Sequence, residues 1–592
     1  MEKKFLRVNL TNMTCTFEPV PDKYKHHGGR GITSLLVADE VDPKCDPLGP
    51  ENKLVIAPGI LSGTKAPTTG RLSVGAKSPL TGGIKEANAG GLTPHKLARL
   101  GIKAVIFEGA PAGDNWYSLY ITKDKAELVE SNEFANMGLY DLIQKLWEKY
   151  PNKPGLMGAG VAGQRLMKNA GVFGNNPENT DPGRFAGRGG LGAVLGSKKI
   201  IAIITDDTGG EQQKPANEEM FDIGRKKMLE ALREHPITGG KAGTDEGGLK
   251  NFGTNILQNI LNEAGGLPTQ NFKRGHFDDA SKISGEAVHE RVDQMKEKFG
   301  DASEGTYGHA CHPGCVIQCS NAVPDENGKM IVSPLEYETA WALGTNCLIG
   351  NLDHVAMLNR LCNDLGLDTI ETGCSIAVAM EGGKIPWGDG DAAIAFLKKA
   401  YDPNDPDGQM IMSGAAGVGK ALGVTRVPVV KGQSLPAYDP RPIKGIGVTY
   451  STTPMGADHT AGYTIAPEIL AVGGKPDPRD TSKAGLSHAF QATTAYIDQS
   501  GYCLFIAFAI LDIPKGMEGL EESVAGYLGL DKFPIVDEGN NILRAELDFN
   551  KRAGFTKEDD RLPRFFYEEP LPPHNVTFDV SDEELDSVFK TV

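Results

Sequence analysis

The chain has 592 residues, 40% of them hydrophobic and 23% charged, so it exceeds a single hydrophobic core and is too apolar for a disordered polypeptide. Its 61 Lys and Arg stand against 77 Asp and Glu, a net charge of −16 that argues against a nucleic-acid groove. The N-terminus MEKKFLRVNLTNMTCTF lacks the pattern of an export signal, and the longest apolar run, YCLFIAFAIL (502–511), is too short to span a bilayer. A cytoplasmic protein with nine reduced cysteines is therefore expected.

In chain order, the runs FLRVNL, KLVIAP, RLSVGA, KAVIFEG, SLYIT and IIAIIT alternate with Gly, Pro and Asn turns, predicting a β-rich domain over residues 1–210. Much of the glycine lies here, where backbone can approach a ligand closely. GRGGLG (187–192) fits the spacing of a dinucleotide loop, but NNPENTDPGRFA precedes it instead of an apolar strand, so the signal is weak. TDDTGGEQQKPANEEM (205–220) reads as a linker.

Beyond it, apolar residues recur every three or four positions at 217–235, 351–366 and 370–383, predicting helices. GAAGVGKA (414–421) approaches a phosphate-binding loop, but Ala421 replaces the required hydroxyl, so it reads as a small-residue helix. The Pro/Gly-rich stretch 423–450 is expected to cross between two helical domains, 211–422 and 423–592. A sheet domain followed by two mostly helical ones makes an α+β protein.

The densest chemistry is HACHPGCVIQCSN (309–321), which sets Cys311, Cys315 and Cys319 on a loop broken by Pro313 and Gly314. Thiolates so close suit a soft or borderline metal: an iron–sulfur cluster, a zinc site, or no metal and three buried thiols. A radical-type cluster fits less well, because the second gap is one residue too long and the loop comes late in the chain. Cys347, Cys362 and Cys374 fall in apolar helical patterns and read as packing residues. A distant echo links NDLGLD (363–368) to DQSGYC (498–503), each near the end of an apolar helical segment. Cys503 closes the second copy and is the candidate fourth ligand.

Together, GGRGITSLL (28–36), APTTGRLSVGAKSPLTGGIKEANAGG (66–91), GIKAVIFEG (101–109), AGRGGLGAVLGSKKIIAI (186–203), HPGCVIQC (312–319), LEYETAWALGTNC (335–347) and the two echoed motifs resemble the tungsten-containing aldehyde:ferredoxin oxidoreductase family along nearly the whole chain. The resemblance implies an N-terminal domain of two β-sheets carrying a tungsten bis-pyranopterin, its phosphates bridged by magnesium, beside a [4Fe–4S] cluster. It implies oxidation of a small aldehyde with water to a carboxylic acid, with electrons passing to ferredoxin or a ferredoxin-like subunit, in a homo- or hetero-oligomer. Cys311, Cys315, Cys319 and Cys503 would hold the cluster. Asn363, Leu367 and Asp368 would clasp one pterin, and Asp498, Tyr502 and Cys503 the other. Arg71 would lie between cluster and pterin, Asn88 and Ala186 would offer carbonyls to magnesium, and Arg184, Gly187 and Arg188 would meet the phosphates. Glu338 and His459 match the active-site carboxylate and histidine, one to accept a proton and one to polarise the carbonyl.

The sequence departs from the family pattern in places. Its loop is C-x3-C-x3-C where C-x2-C-x3-C is usual, Asn363 replaces Asp, and Tyr502 replaces Leu. Met357 stands where some members carry a Glu for a dimer-bridging iron, which is not expected here. The sequence also leaves open a different two-electron reaction, such as reduction of an acid or ring, or a catalytically silent redox subunit.

Overall fold

The six apolar runs of the first 205 residues all become strands in the computed structural model, which describes residues 2–178, 181–240 and 248–592. Two six-stranded sheets form. The first contains β1 (Lys4–Asn9), β2 (Thr14–Pro19), β3 (Leu54–Pro58), β4 (Leu72–Lys77), β5 (Ile84–Ala89) and β6 (Ile102–Glu108), in the order β2-β1-β6-β3-β4-β5. The second contains β7 (Tyr117–Ile121), β8 (Ala126–Glu130), β9 (Gly155–Ala159), β10 (Val172–Gly174), β11 (Arg184–Ala186) and β12 (Ile200–Thr205). Its order is β8-β7-β12-β9-β10-β11, the first sheet shifted by six strands.

The equivalence extends to detail. β1–β6 and β7–β12 are the parallel pairs, every other pairing is antiparallel, and each parallel pair carries an irregularity at its start. The helices correspond as well: α1 (Gly29–Glu40) and α3 (Leu139–Lys149) precede β3 and β9, while α2 (Thr93–Arg99) and α4 (Leu191–Ser197) lead into β6 and β12. The N-terminal region is an internal duplication. Its sequence trace is slight, surviving in such pairs as ANAGGL (87–92) and AGRGGL (186–191).

The sheets pack face to face through Leu6, Val8, Leu54 and Ile56 against Leu119, Ile121, Met157 and Ala159. The outer faces are covered by the apolar stripes of α1 (Ile32, Leu36, Val37) and α3 (Leu139, Leu142, Ile143, Leu146). GRGGLG does follow a strand, contrary to the sequence reading. That strand, β11, is a three-residue edge pairing antiparallel with β10, so the loop does not open a parallel βαβ unit.

The rest of the chain is mostly helical. The helices expected from periodicity form as α5 (Glu218–Glu234), α7 (Leu352–Leu365) and α8 (Thr369–Glu381), with α6 (Tyr337–Leu343) ahead of α7. Asn217, Asn351 and Asp368 cap α5, α7 and α8 by accepting from backbone amides of the first turn. GAAGVGKA falls on a helix, Ala415–Leu422. The stretch 423–450 forms a short hairpin (Val429–Val430 with Gln433–Ser434) and then begins α9 (Lys444–Thr452). Residues 433–450 are buried throughout, so tertiary packing supports a helix that the local composition did not announce.

α10 (Ala484–Ser500), α11 (Ile506–Asp512), α12 (Pro514–Leu528) and α13 (Ile535–Ala553) complete the fold. α12 packs along α5, and α1 lies between the first sheet and the pair α10 and α13. No helix among the described residues is long and apolar enough to cross a membrane.

Candidate active site

The two echoed motifs are the C-terminal ends of α7 and α10, and each helix ends on a left-handed glycine, Gly366 (φ 79°) and Gly501 (φ 90°). Each glycine abuts a glycine that directly follows equivalent strands: Gly366 against Gly160 after β9, and Gly501 against Gly59 after β3. A Cβ on Gly59 would lie 2.0 Å from the Gly501 Cα, so neither position admits a side chain. The anchoring hydrogen bonds also correspond, Gly171 N–H to the Gly366 carbonyl (3.0 Å) and Arg71 N–H to the Gly501 carbonyl (3.2 Å). The sequence echo is thus two helix ends docked on two copies of one sheet unit. Between them lies a cavity of about 440 Å³, lined by Asn363, Leu367 and Asp368 from one end and by Asp498 and Cys503 from the other. Tyr502 is outside the lining; its ring is buried and its hydroxyl is 3.1 Å from Ser523 Oγ.

Buried charge lies under both ends. Arg30, 1% exposed, holds Glu546 through two 2.9 Å hydrogen bonds and Asp498 at 3.2 Å. Asp498 nevertheless keeps its proton well above the usual carboxylate range, first because it is buried and then because Glu86 is near. On the other side Asp368 is pushed up to about 6 by burial, with Arg188 Nε 3.5 Å away opposing the shift. Arg188 spends its other nitrogens on the carbonyls of Ala457 (2.7 Å) and Ser434 (2.6 Å).

Cys311, Cys315, Cys319 and Cys503 are all buried beside the Asp498 end of the cavity. The ligand atoms of Cys311, His312 and Cys315 lie within 4.8 Å of one another, and Cys319 and Cys503 share the electrostatic field of Cys311. Thr68, itself at φ 60°, ties the pieces together: its N–H donates to the Gly314 carbonyl (2.9 Å), its carbonyl accepts from Cys503 N–H (3.1 Å), and its Oγ1 accepts from Val316 N–H (3.2 Å). The Cys311 thiol is held well below its usual range, chiefly by the Cys315 thiol beside it, while Cys503 is pushed up to about 11 by burial. Two adjacent buried thiols, with two more within their electrostatic field, cannot all ionise without a cation among them, so the donor set suits a metal or cluster. Arg71 sits in the combined field of Cys503, Cys311 and Asp498, which outweighs the effect of burial and keeps it charged, and it donates to Asn88 Oδ1 (2.6 Å).

Glu338 on α6 and His459 approach across the cavity, Nε2 3.3 Å from Oε1. Glu338 Oε2 accepts from Ala437 N–H (3.0 Å), whereas Oε1 and His459 Nδ1 are buried with no hydrogen-bond partner. Burial pushes Glu338 up to about 8, with Asp458 and Asp368 adding to the shift, and it pulls His459 down to about 4. Behind the histidine, Asp458 takes Lys85 Nζ at 2.7 Å and closes a turn onto Thr460 (3.0 Å to N–H, 2.8 Å to Oγ1), which fixes the loop.

The expected residues therefore converge with three exceptions. Asn88, Arg184, Gly187 and Arg188 line the cavity with both helix ends and the Glu338–His459 pair, but Tyr502 does not, and neither do Cys315, which lies beside Cys311, and Ala186, which is fully buried in β11. Glu86 Oε1, Asn88 Nδ2, Arg184 Nε, Arg188 Nε, Asp368 Oδ2 and Glu338 Oε1 all border this cavity buried and without a hydrogen bond. Such a ring of unmet donors and acceptors fits a large polar ligand reaching across both ends, as two joined pterins would. Sequence reasoning missed Thr68, Arg30, Lys85 and Asp458. Nothing in the local pattern signalled Lys85, because β5 has no apolar alternation.

Residues 5–207 match the profile of the aldehyde ferredoxin oxidoreductase N-terminal domain, and residues 225–591 match that of its domains 2 and 3. The tungsten-containing aldehyde ferredoxin oxidoreductase of Thermococcus kodakarensis is 35% identical over 96% of this chain and 92% of its own. The enzyme of the same description from Pyrococcus furiosus is 34% identical at the same coverage. The WOR-like subunit of an aliphatic sulfonate oxidoreductase from Pyrococcus furiosus is 23% identical over 93% of this chain and 86% of its own. Among solved structures, the active site complex BamBC of benzoyl coenzyme A reductase, in complex with 1,5-dienoyl-CoA, shares the fold. Its TM-score is 0.78 at 17% identity, covering 100% of this chain and 94% of that one.

Proposed function

The chain belongs to the aldehyde ferredoxin oxidoreductase family, and from that premise we propose that it oxidises an aldehyde with water to a carboxylic acid and passes two electrons to ferredoxin or a ferredoxin-like subunit. The observation that carries this reading is the Glu338–His459 pair, whose unpartnered Oε1 and Nδ1 belong to the same cavity as the two helix ends and Cys503. A tungsten bis-pyranopterin supplies, when bound, the two-electron acceptor that no side chain here provides.

The chain's own residues do the rest. Asn363, Leu367 and Asp368 would clasp one pterin and Asp498 the other, their carboxyl and amide oxygens accepting from the pterin ring edges. Arg184 and Arg188 would meet the phosphates, and the Asn88 carbonyl would serve magnesium. Cys311, Cys315, Cys319 and Cys503 would hold a [4Fe–4S] cluster, with Arg71 between it and the Asp498 pterin. RCHO and H2O become RCOOH, two protons and two electrons. Glu338, as carboxylate, takes a proton from the attacking water at Oε1. Neutral His459 donates a hydrogen bond to the carbonyl oxygen and holds it within reach. A cytoplasmic enzyme in a homo- or hetero-oligomer completes the reading.

The test is metal analysis of protein purified anaerobically from a host supplied with tungstate, followed by an aldehyde screen with a viologen acceptor. About four irons and one tungsten per chain, with aldehyde-dependent viologen reduction, are expected. Zinc in place of iron, or loaded protein that oxidises no aldehyde, would overturn the proposal.

A further inference from the structure

We propose that His312 is a fifth donor of the cysteine loop, a nitrogen ligand placed to take the iron of Cys315 when that thiolate leaves. This rests on the cluster reading above. His312, Pro313 and Gly314 separate Cys311 from Cys315, one residue more than the usual spacing of such a loop. The His312 ring is fully buried, and Gly70 makes room for it: a Cβ there would lie 2.3 Å from His312 Nδ1. One nitrogen of the ring lies within 4.8 Å of the sulfurs of Cys311 and Cys315.

Hydrogen bonds decide which ring nitrogen is free. Nδ1 is 3.0 Å from the Pro313 carbonyl, which can only accept, so Nδ1 carries the ring proton. That carbonyl is fixed in turn by His95 Nε2 at 3.0 Å. The His95 proton is settled as well, because His95 Nδ1 accepts from Gly63 N–H (2.8 Å). Nε2 of His312 therefore keeps its lone pair, and it is buried with no hydrogen-bond partner. A histidine that donates one N–H to a backbone carbonyl and leaves its other nitrogen bare is arranged as metal-ligating histidines are.

Cys315 is the corner that His312 shares. Cys311, Cys319 and Cys503 line the large cavity, whereas Cys315 borders a separate one of about 400 Å³ together with Arg233 and Lys250. The exchange breaks the iron–Sγ bond of Cys315, whose thiolate keeps the electron pair and turns to those two cations, and it forms an iron–Nε2 bond. No electron is transferred. Neutral imidazole in place of thiolate leaves the cluster less negative and easier to reduce, as in Rieske centres.

The experiment compares anaerobically loaded wild type with Cys315→Ala and with the double variant Cys315→Ala/His312→Ala. It reads iron content, pulsed electron paramagnetic resonance and a redox titration of the cluster. Cys315→Ala should keep about four irons, show a strong nitrogen coupling that changes when histidine is isotopically labelled, and have a higher reduction potential. The double variant should fall to about three irons or fewer and lose the coupling. If Cys315→Ala already loses iron and shows no histidine coupling, His312 is not a ligand. If Cys315→Ala does not fold, His312→Ala alone serves: ferricyanide should strip iron from it about tenfold faster than from the wild type, and equal rates would overturn the proposal. Protein that loads zinc in place of iron brings down the cluster reading and leaves the ligand to be read by X-ray absorption at the zinc. There a nitrogen lost in His312→Ala upholds the ligand, and an all-sulfur shell ends it.

Discussion

The ends of α7 and α10 are built alike and charged differently. Both finish on a left-handed glycine pressed onto a glycine of one of the duplicated sheets, with the same anchoring hydrogen bond. At the α10 end, Asp498 lies over a buried Arg30 that is shared with Glu546, and Cys503 follows within the thiol group. At the α7 end the corresponding residue is the neutral Asn363, and the charge sits five residues later on Asp368 beside Arg188. The backbone frame is common to the two halves, while under the proposed function the side chains would give one half to electron transfer and the other to the Glu338–His459 chemistry.

The strongest way to break that contrast is Cys503→Ala against Asn363→Ala. The first should take iron from about four per chain towards zero, and the second should leave iron unchanged, read by metal analysis and electron paramagnetic resonance. Loss of iron from both would mean that the halves are not separable. Next in size, Glu338→Gln should lower kcat/KM by about 100-fold or more. The wild-type profile should rise with pH towards a plateau above about 8, because only the carboxylate form of Glu338 accepts a proton. His459, pulled down to about 4, stays neutral and adds no limb between pH 5 and 8. A Glu338→Gln profile that kept the rise would assign it to another group.

Lys85→Met should leave Asp458 a buried anion without its partner and cost about 3–5 kcal/mol by thermal or denaturant unfolding. A variant as stable as the wild type would show that Asp458 gives up its charge instead. The smallest effect belongs to Asp498→Asn. The native carboxyl keeps its proton well above the usual range and Glu546 still satisfies Arg30, so the amide should cost about 1 kcal/mol or less. A loss above about 3 kcal/mol would mean that Asp498 is an ionised partner of Arg30.

What was legible in the sequence were strands with apolar alternation. β1, β3, β4, β6, β7 and β12 lie where their runs predict. β5 and β11 went unseen because they border the cavity, and β9 and β10 because they are glycine-containing or very short. β5 carries Lys85, Glu86 and Asn88 inward, β9 needs Gly155 and Gly158 for close contacts, and β10 and β11 are three residues each. Strands that meet a ligand trade hydrophobic pattern for small and polar residues, so they look like loops. The duplication escaped for a related reason: strand order and register recur, but each copy's side chains answer to a different neighbour.

By itself, then, the sequence determined the elements whose stability is local, and it named most of the candidate site residues through short motifs. The loop of three cysteines, the two glycine-ended motifs, Glu338 and His459 could all be listed before any fold was known. Only the tertiary structure decided which of them share a cavity, that Tyr502 and Ala186 lie outside its lining, and that Thr68, Arg30, Lys85 and Asp458 hold the others in place. Those supporting residues act through partners hundreds of positions away. Buried hydrogen bonds and ion pairs are satisfied by proximity in space, which residue order along a chain does not specify.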